Sequence, residues 1–298
     1  MHIIGIDLGG TRIKGVLIDE KGQIMQQSYS MTGDGDDDIV WKTAIRNTVH
    51  ELKNKNPEPV SLVGISAPGL PNEENTAIHF MPGRLQGLER FVWKDYLGLN
   101  TFLLNDAVAA LNAESKIGIA KNKKHIAMLT LGTGVGGALI LNGQPFQGDF
   151  CRAGHLGHMV VDYQATPDVT GMPGSLEMCI GNCSLEERTN GRYHMSHDLI
   201  EDYKKGDAYA TEVWLTSVKK LAIGIASIIN IVSPEIIVLG GGITEANEAL
   251  FAPLEEYMAE YEWRPGGHTV PIVKAVLGDL AGAVGAALFA HSKSMVRI

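Results

Sequence analysis

Asp7 stands inside the apolar run IIGIDL, directly before Gly9-Gly10-Thr11. An ionised carboxylate among aliphatic neighbours is costly unless a cation or hydrogen-bond donors compensate it. Two sources are within sequence reach: a salt bridge to Arg12 or Lys14, or a Mg²⁺-bound phosphate held at the glycine turn. The adjacent GGT favours the phosphate, because glycines let backbone N–H groups approach an anion closely. A second glycine-rich stretch, Gly132-Thr133-Gly134-Val135-Gly136-Gly137, formally fits a dinucleotide fingerprint. That fingerprint must lead from strand into helix, whereas Ala138 to Leu141 reads as another strand, followed by the hairpin signal Asn142-Gly143. It is therefore a turn between two strands, still suited to bring backbone N–H groups to a phosphate. No Walker lysine motif is present.

Asn105 and Asp106 end an apolar strand and precede AVAALNA. Asp is a common helix N-cap, and a carboxylate there is equally suited to take a proton from a substrate hydroxyl; the residues alone leave both readings open. His155 and His158 lie three apart in the glycine-rich AGHLGH. Such a pair is placed to touch a ligand, or to hold a metal with Cys179 and Cys183, although C-x-x-x-C is a weak zinc spacing.

The elements that position these residues follow from pattern. Strands are expected at 3–8, 13–19 and 23–31, a meander with the glycine turn between its first two members. After an acidic loop, residues 38–53 place Ile39, Ile45, Val49 and Leu52 at helical spacing, and 60–66 returns to strand. A strand at 101–105 leads into a helix from Asp106. The decisive feature is an internal repeat: IIGIDLGGTRIKGVLIDE (3–20) aligns without a gap on IAMLTLGTGVGGALILNG (126–143). Two similarly built α/β domains follow, each with a strand, a glycine turn and a strand at its core. The second half runs through a long irregular region, about 144–190, into helices near 196–206 and 209–231. A strand at 235–239 ends at Gly240-Gly241-Gly242, and the last helix begins near Asp279.

Composition agrees with a globular pair of domains. At 298 residues the chain exceeds the usual size of one domain, and its 20% charged and 45% hydrophobic content is ordinary. A formal charge of −9 offers no basic field, so no nucleic-acid partner is expected. The apolar stretch Leu221–Val232 is interrupted by Ser227 and Asn230 and is too short to span a bilayer, so it reads as a buried helix. No basic start or cleavage site precedes the first strand, which points to the cytoplasm. Three cysteines, an odd number without a secretion signal, argue against a disulfide framework.

With these residues in hand, the chain resembles the ROK family of sugar kinases and repressors, part of the actin-like ATPase superfamily, over nearly its whole length. IGIDLGGTRIKGVLID is similar to the family's first phosphate motif and LTLGTGVGGALILNG to the second. IIVLGGG resembles the adenosine-side turn, and LGDLAGAVGAA the closing helix segment. The resemblance implies two actin-like (ribonuclease H-like) domains, 1–118 and 119–298, with an interdomain cleft that closes on substrate and a last helix packing back on the first domain. It implies an ATP- and Mg²⁺-dependent, glucokinase-like sugar kinase, with a non-catalytic sugar sensor as the alternative and a homodimer or homotetramer as the assembly.

By the same resemblance Asp106 is the catalytic base, and Gly69, Asn105, His155, His158 and Glu186 fall at sugar-binding positions, Gly69 closing a sugar-side loop that starts at Gly64. Asp7, Gly9, Gly10 and Thr11, then Gly132, Thr133 and Gly134, fall at phosphate positions, with Asp7 near the Mg²⁺ carried by ATP. Gly240, Gly241 and Gly242 fall on the adenosine side. Two departures stand out. His155 occupies the place of the family's sugar-binding glutamate, replacing a carboxylate acceptor with a ring. The family's three-cysteine, one-histidine zinc cluster reads here Glu177, Cys179 and Ser184, with Cys183 one place early and an insertion after His158, so no structural zinc is expected.

Overall fold

The computed structural model describes residues 1–33 and 38–295; the acidic loop expected before the first helix falls largely outside them. The chain divides into two compact units. One comprises Met1–Asn122, Pro145–Ala153 and Val276–Ile298; the other comprises Lys123–Gln144 and Gly154–Ala275. This division differs from the expected ranges at Pro145–Ala153, where Gln147 accepts a 3.2 Å bond from Asn75 of the first unit. The residues from Val276 onward are fastened there as well: buried Glu114 accepts the N–H groups of Val276 (2.8 Å) and Leu277 (2.9 Å).

In the first unit, β1 (His2–Leu8), β2 (Arg12–Ile18) and β3 (Ile24–Met31) form the expected meander. Helix α1 (Asp38–Asn54) follows, then β4 (Val60–Ala67), the short pair β5 (Leu70–Pro71) and β6 (Ile78–Phe80), α2 (Trp93–Leu97), β7 (Asn100–Asn105) and α3 (Asp106–Lys116). The sheet order is β3-β2-β1-β4-β7, with β1 parallel to β4 and β4 parallel to β7. Helix α1 buries Trp41, Ile45, Val49 and Leu52, whereas Ile39, expected on that face, is exposed. Trp41 provides the bulk at the start of the buried stripe, and its ring lies 5.8 Å from that of Trp93.

In the second unit, β8 (Ile126–Leu131), β9 (Val135–Leu141) and β10 (Gln144–Pro145) repeat the meander. The region expected to be irregular contains the single-turn helices α4 (Leu176–Ile180) and α5 (Leu185–Arg188), too short to display a period. Then come α6 (Ser196–Lys204), α7 (Ala208–Val232), β11 (Ile236–Gly240), α8 (Glu248–Tyr261) and β12 (Ile272–Lys274). The sheet order is β10-β9-β8-β11-β12, again a meander followed by two parallel strands. Helix α7 is 25 residues long, close to the expected 209–231; by length and composition it could cross a membrane, although the apolar stretch 221–232 alone could not. Its Trp214, Val218, Leu221, Ala222, Ile225 and Ile228 are nonetheless buried in the core of this unit.

The chain ends with α9 (Ala281–Met295) in the first unit. Its sequence, AGAVGAALFA, is rich in small residues because its backbone lies directly on the sheet. A Cβ on Gly5 of β1 would collide with the Ala283 carbonyl, and one on Gly64 of β4 with that of Ala286. On its other side Gly285 meets the Ala109 carbonyl of α3, and Asn112 Nδ2 donates to the Gly285 carbonyl at 2.8 Å.

Candidate functional site

In the first unit the singled-out residues gather at the C-terminal ends of the parallel strands, the edge where open α/β sheets bind ligands. Asp7 is in register with Ser66, and Ala67 with Asn105. Ser66 Oγ donates to Asp7 Oδ1 at 2.7 Å, and Lys14 Nζ lies 3.4 Å from Asp7 Oδ2. The intrachain salt bridge is therefore present, and burial of Asp7 by itself does not require a phosphate-bound cation. Lys14 is shared with Asp279 at 2.6 Å. Burial works against its ammonium, but the bond to Asp279 and the charge of Asp7 outweigh that and raise its pKa. The second residue of α9, Gly282, leaves no room for a Cβ beside Asp7 Oδ1 and Ser66 Oγ.

The Gly9–Thr11 turn is pinned by the Gly9 N–H to the Arg12 carbonyl (3.1 Å), Thr32 Oγ1 to the Gly9 carbonyl (2.6 Å) and Thr32 N–H to the Thr11 carbonyl (3.0 Å). A Cβ on Gly10 would strike the Arg84 guanidinium, which places an arginine, unmarked in the sequence, against this turn.

At the start of α3 the two candidate roles separate onto two residues. Asn105 is the N-cap, its side chain accepting the Ala107 N–H at 3.0 Å while Nδ2 donates to the Gly69 carbonyl at 3.2 Å. Asp106 is the first helical residue and solvent accessible, with Oδ1 also accepting the Ala107 N–H at 2.8 Å. Desolvation by surrounding protein pushes its carboxyl up to about 6; the Ala107 N–H opposes this and the charge of Asp7 adds to it. The structure thus brings Asp7, Gly69, Asn105 and Asp106 to one edge. The rest of the expected sugar-side loop is different: Gly64–Ala67 is the end of β4, and only Pro68 and Gly69 turn away from it.

In the second unit the Gly132–Gly134 turn joins β8 to β9, and the Gly132 N–H donates to the Gly134 carbonyl at 2.9 Å. The Gly132 and Thr133 carbonyls accept the N–H groups of Asn182 (3.0 Å) and Cys183 (2.7 Å). Glu177 Oε2 accepts the Val135 N–H at 2.9 Å and fills the space a Cβ on Gly134 would need. Glu177→Ala should therefore cost about 1–2 kcal/mol of stability through the unpaired N–H, read as a lower urea midpoint; an unchanged midpoint would show that water replaces the carboxylate. Gly241 has φ +88°, and a Cβ there would run into the Leu131 carbonyl. The Gly240–Gly242 turn thus sits beside the Gly132 turn, at the ends of neighbouring parallel strands.

His155 and His158 stack at 6.4 Å between ring centroids with 13° between planes. Burial lowers the His155 pKa, and His158 lowers it further. His158 Nδ1 lies 2.9 Å from Asp168 Oδ2. Glu186 is exposed and pairs with His194 at 3.3 Å. Among the described residues, no three His, Cys, Asp or Glu side chains converge as metal ligands. Cys179 is buried, Cys183 is exposed, and Ser184 Oγ donates to the Met178 carbonyl at 2.8 Å.

The ROK family model matches residues 3–293. The chain belongs to the ROK family. A relative, a glucokinase of Thermotoga maritima, is 30% identical, covering 96% of this chain and 96% of its own. A ROK hexokinase structure from Thermus thermophilus superposes with a TM-score of 0.88 at 28% identity, over 99% of both chains. A ROK family glucokinase from Streptomyces griseus, solved with glucose and AMPPNP, gives 0.81 at 25% identity, covering 98% of this chain and 100% of that one. The fold is accordingly the two-domain actin-like fold of ROK proteins. Sequence reading missed Arg84 and Asp168, which no local motif in this ROK chain marks, and met Glu177 only as a position of the family's zinc cluster, not as the acceptor of the Val135 N–H.

Proposed function

We propose that this protein is an ATP-dependent sugar kinase that transfers the γ-phosphoryl group of MgATP to a hydroxyl, in the family's usual case the 6-hydroxyl, of a hexose or hexose derivative. The observation that carries this reading is Asp106, a solvent-accessible carboxylate with a raised pKa at a strand end, held by a helix cap that Asn105 supplies. Such a group can accept a hydroxyl proton near neutral pH. Positioning and charge neutralisation do most of the work in phosphoryl transfer, and the remaining residues have those tasks. The Gly9–Thr11 and Gly132–Gly134 turns offer backbone N–H groups and threonine hydroxyls to phosphates, and the Gly240–Gly242 turn takes the adenosine side, where a Cβ on Gly242 would meet nothing. Gly69, Asn105, His155, His158 and Glu186 hold the sugar.

The residues around Asp7 fit a Mg²⁺ carried by the nucleotide. Two carboxylates, Asp7 and Asp279, share one ammonium, leaving one formal negative charge and hard oxygen donors, as Mg²⁺ prefers. Bound there, the ion would neutralise phosphate oxygens; Lys14 and Ser66 hold the Asp7 carboxylate in place for it.

His155 in the glutamate position makes the sugar the open question of specificity. The test is ATP consumption, coupled through ADP, against hexoses, N-acetylhexosamines and amino sugars at fixed Mg²⁺. Turnover with at least one member is expected. Sugar binding in a calorimeter without any ATP consumption would instead identify a sensor, and silence in both would reject sugars as the substrate class.

A further inference from the structure

We infer that Asp168 is a positioning residue that fixes the tautomer of His158, so that Nε2 faces the ligand as a hydrogen-bond acceptor. The inference rests on the sugar-binding reading of His158 and deepens it. The Asp168 side chain is fully buried, at 0% exposure, while that of His158 is 32% exposed, so the bond runs from the protein interior to a ring that reaches solvent.

The carboxylate has little freedom to rotate. Oδ1 accepts from Thr170 N–H (2.8 Å), Thr170 Oγ1 (2.6 Å) and Met172 N–H (3.1 Å), leaving Oδ2 for His158. The backbone around it is closed by Asp168 N–H to the Met172 carbonyl and Gly171 N–H to the Asp168 carbonyl, both 2.9 Å. Burial opposes ionisation, yet bonds from Thr170, His158, Ser175 and Met172 prevail and hold this carboxyl well below the usual range. An ionised carboxylate only accepts, so Nδ1 must carry the proton, and in the neutral ring Nε2 is left with its lone pair. The stacked His155 ring limits how far His158 can swing.

Stability alone does not favour a buried carboxylate under a partly exposed imidazole, because a hydrophobic pair there would avoid the desolvation cost. What the pair supplies is orientation, the same service a carboxylate gives to catalytic and metal-bound histidines. The loop 162–175 is thereby assigned a task, since it brings Asp168 under the ring and returns the chain to α4.

Asp168→Asn separates this role from a merely structural one. The amide oxygen is retained by the Thr170 and Met172 N–H groups, so the NH₂ faces Nδ1, which must then accept, and the proton moves to Nε2. In ¹⁵N spectra of histidine-labelled, ligand-free protein, His158 is expected to be protonated at Nδ1 in the wild type and at Nε2 in the variant. The KM for the sugar found in the panel should rise at least about tenfold, with the KM for ATP within about twofold. A wild-type ring protonated at Nε2 overturns the inference without any variant, as does a tautomer indifferent to the substitution. The expected tautomers with an unchanged sugar KM, or, where no sugar is turned over, with an unchanged calorimetric sugar Kd, would keep the orientation but overturn its link to the ligand, and with it the place of His158 in the proposed function.

Discussion

Asp106→Asn is expected to lower kcat by about 10²–10⁴-fold, the usual contribution of a general base, while sugar and ATP still bind. The change is isosteric, and the cap on α3 belongs to Asn105, so the helix start survives it. Wild-type turnover should fall on the acid side of pH 6, because protonation removes the acceptor and the carboxyl lies at about 6. Water reaches this side chain and screens part of the shift; an acid limb at the ordinary value of about 4 would mean that screening removes it altogether. The variant should lose that limb. The stability linkage has the opposite sense. Between the unfolded value of 3.8 and about 6 the native state holds more protons, so this group's contribution falls as pH rises. The variant should consequently be no less stable than the wild type at pH 8. Near wild-type turnover in the variant would remove Asp106 from the chemistry.

Gly64→Ala should cost about 3 kcal/mol, at the upper end for overpacking, and shift the urea midpoint without touching any proposed ligand contact. Two effects of opposite sign compete. Glycine in a strand is unfavourable by roughly 0.5–1 kcal/mol relative to alanine, so the substitution gains that much from backbone entropy. Against it, the new Cβ meets the backbone of α9 at Ala286 and Ala287, which no side-chain rotation can relieve. The collision outweighs the entropy gain. An unaltered midpoint would show that α9 can lift from the sheet at little cost.

The sequence made the two strand–turn–strand cores legible because a gapless repeat and an apolar period both mark them, and both appear as meanders followed by parallel strands. The site was legible where a motif lies within a few residues: Asp7 before its turn, and Asn105-Asp106 at a strand end. Which of that pair caps the helix was not, since both residue types can cap and only the backbone decides. Arg84, Asp168 and the structural use of Glu177 were hidden for a shared reason. Each acts on a partner reached by tertiary folding from an irregular or single-turn segment, at separations such as 42 residues for Glu177 and Val135, and no period or turn signal encodes such a pairing. Helix α8 was passed over although Leu250, Leu254 and Met258 line its buried face at fourfold spacing. Ile39 was misplaced because spacing alone cannot weigh it against the larger Trp41.

The fastening of α9 has a consequence for how the protein is made. β1 leaves the ribosome well before the helix that covers Gly5 and Gly64. At roughly 5–20 residues per second of synthesis, the sheet of the first unit waits on the order of ten seconds or more with that apolar face uncovered. The second unit, complete by Ala275, has all its residues before then. The unit whose sheet is begun before the other unit is therefore the one whose covering helix is made after it.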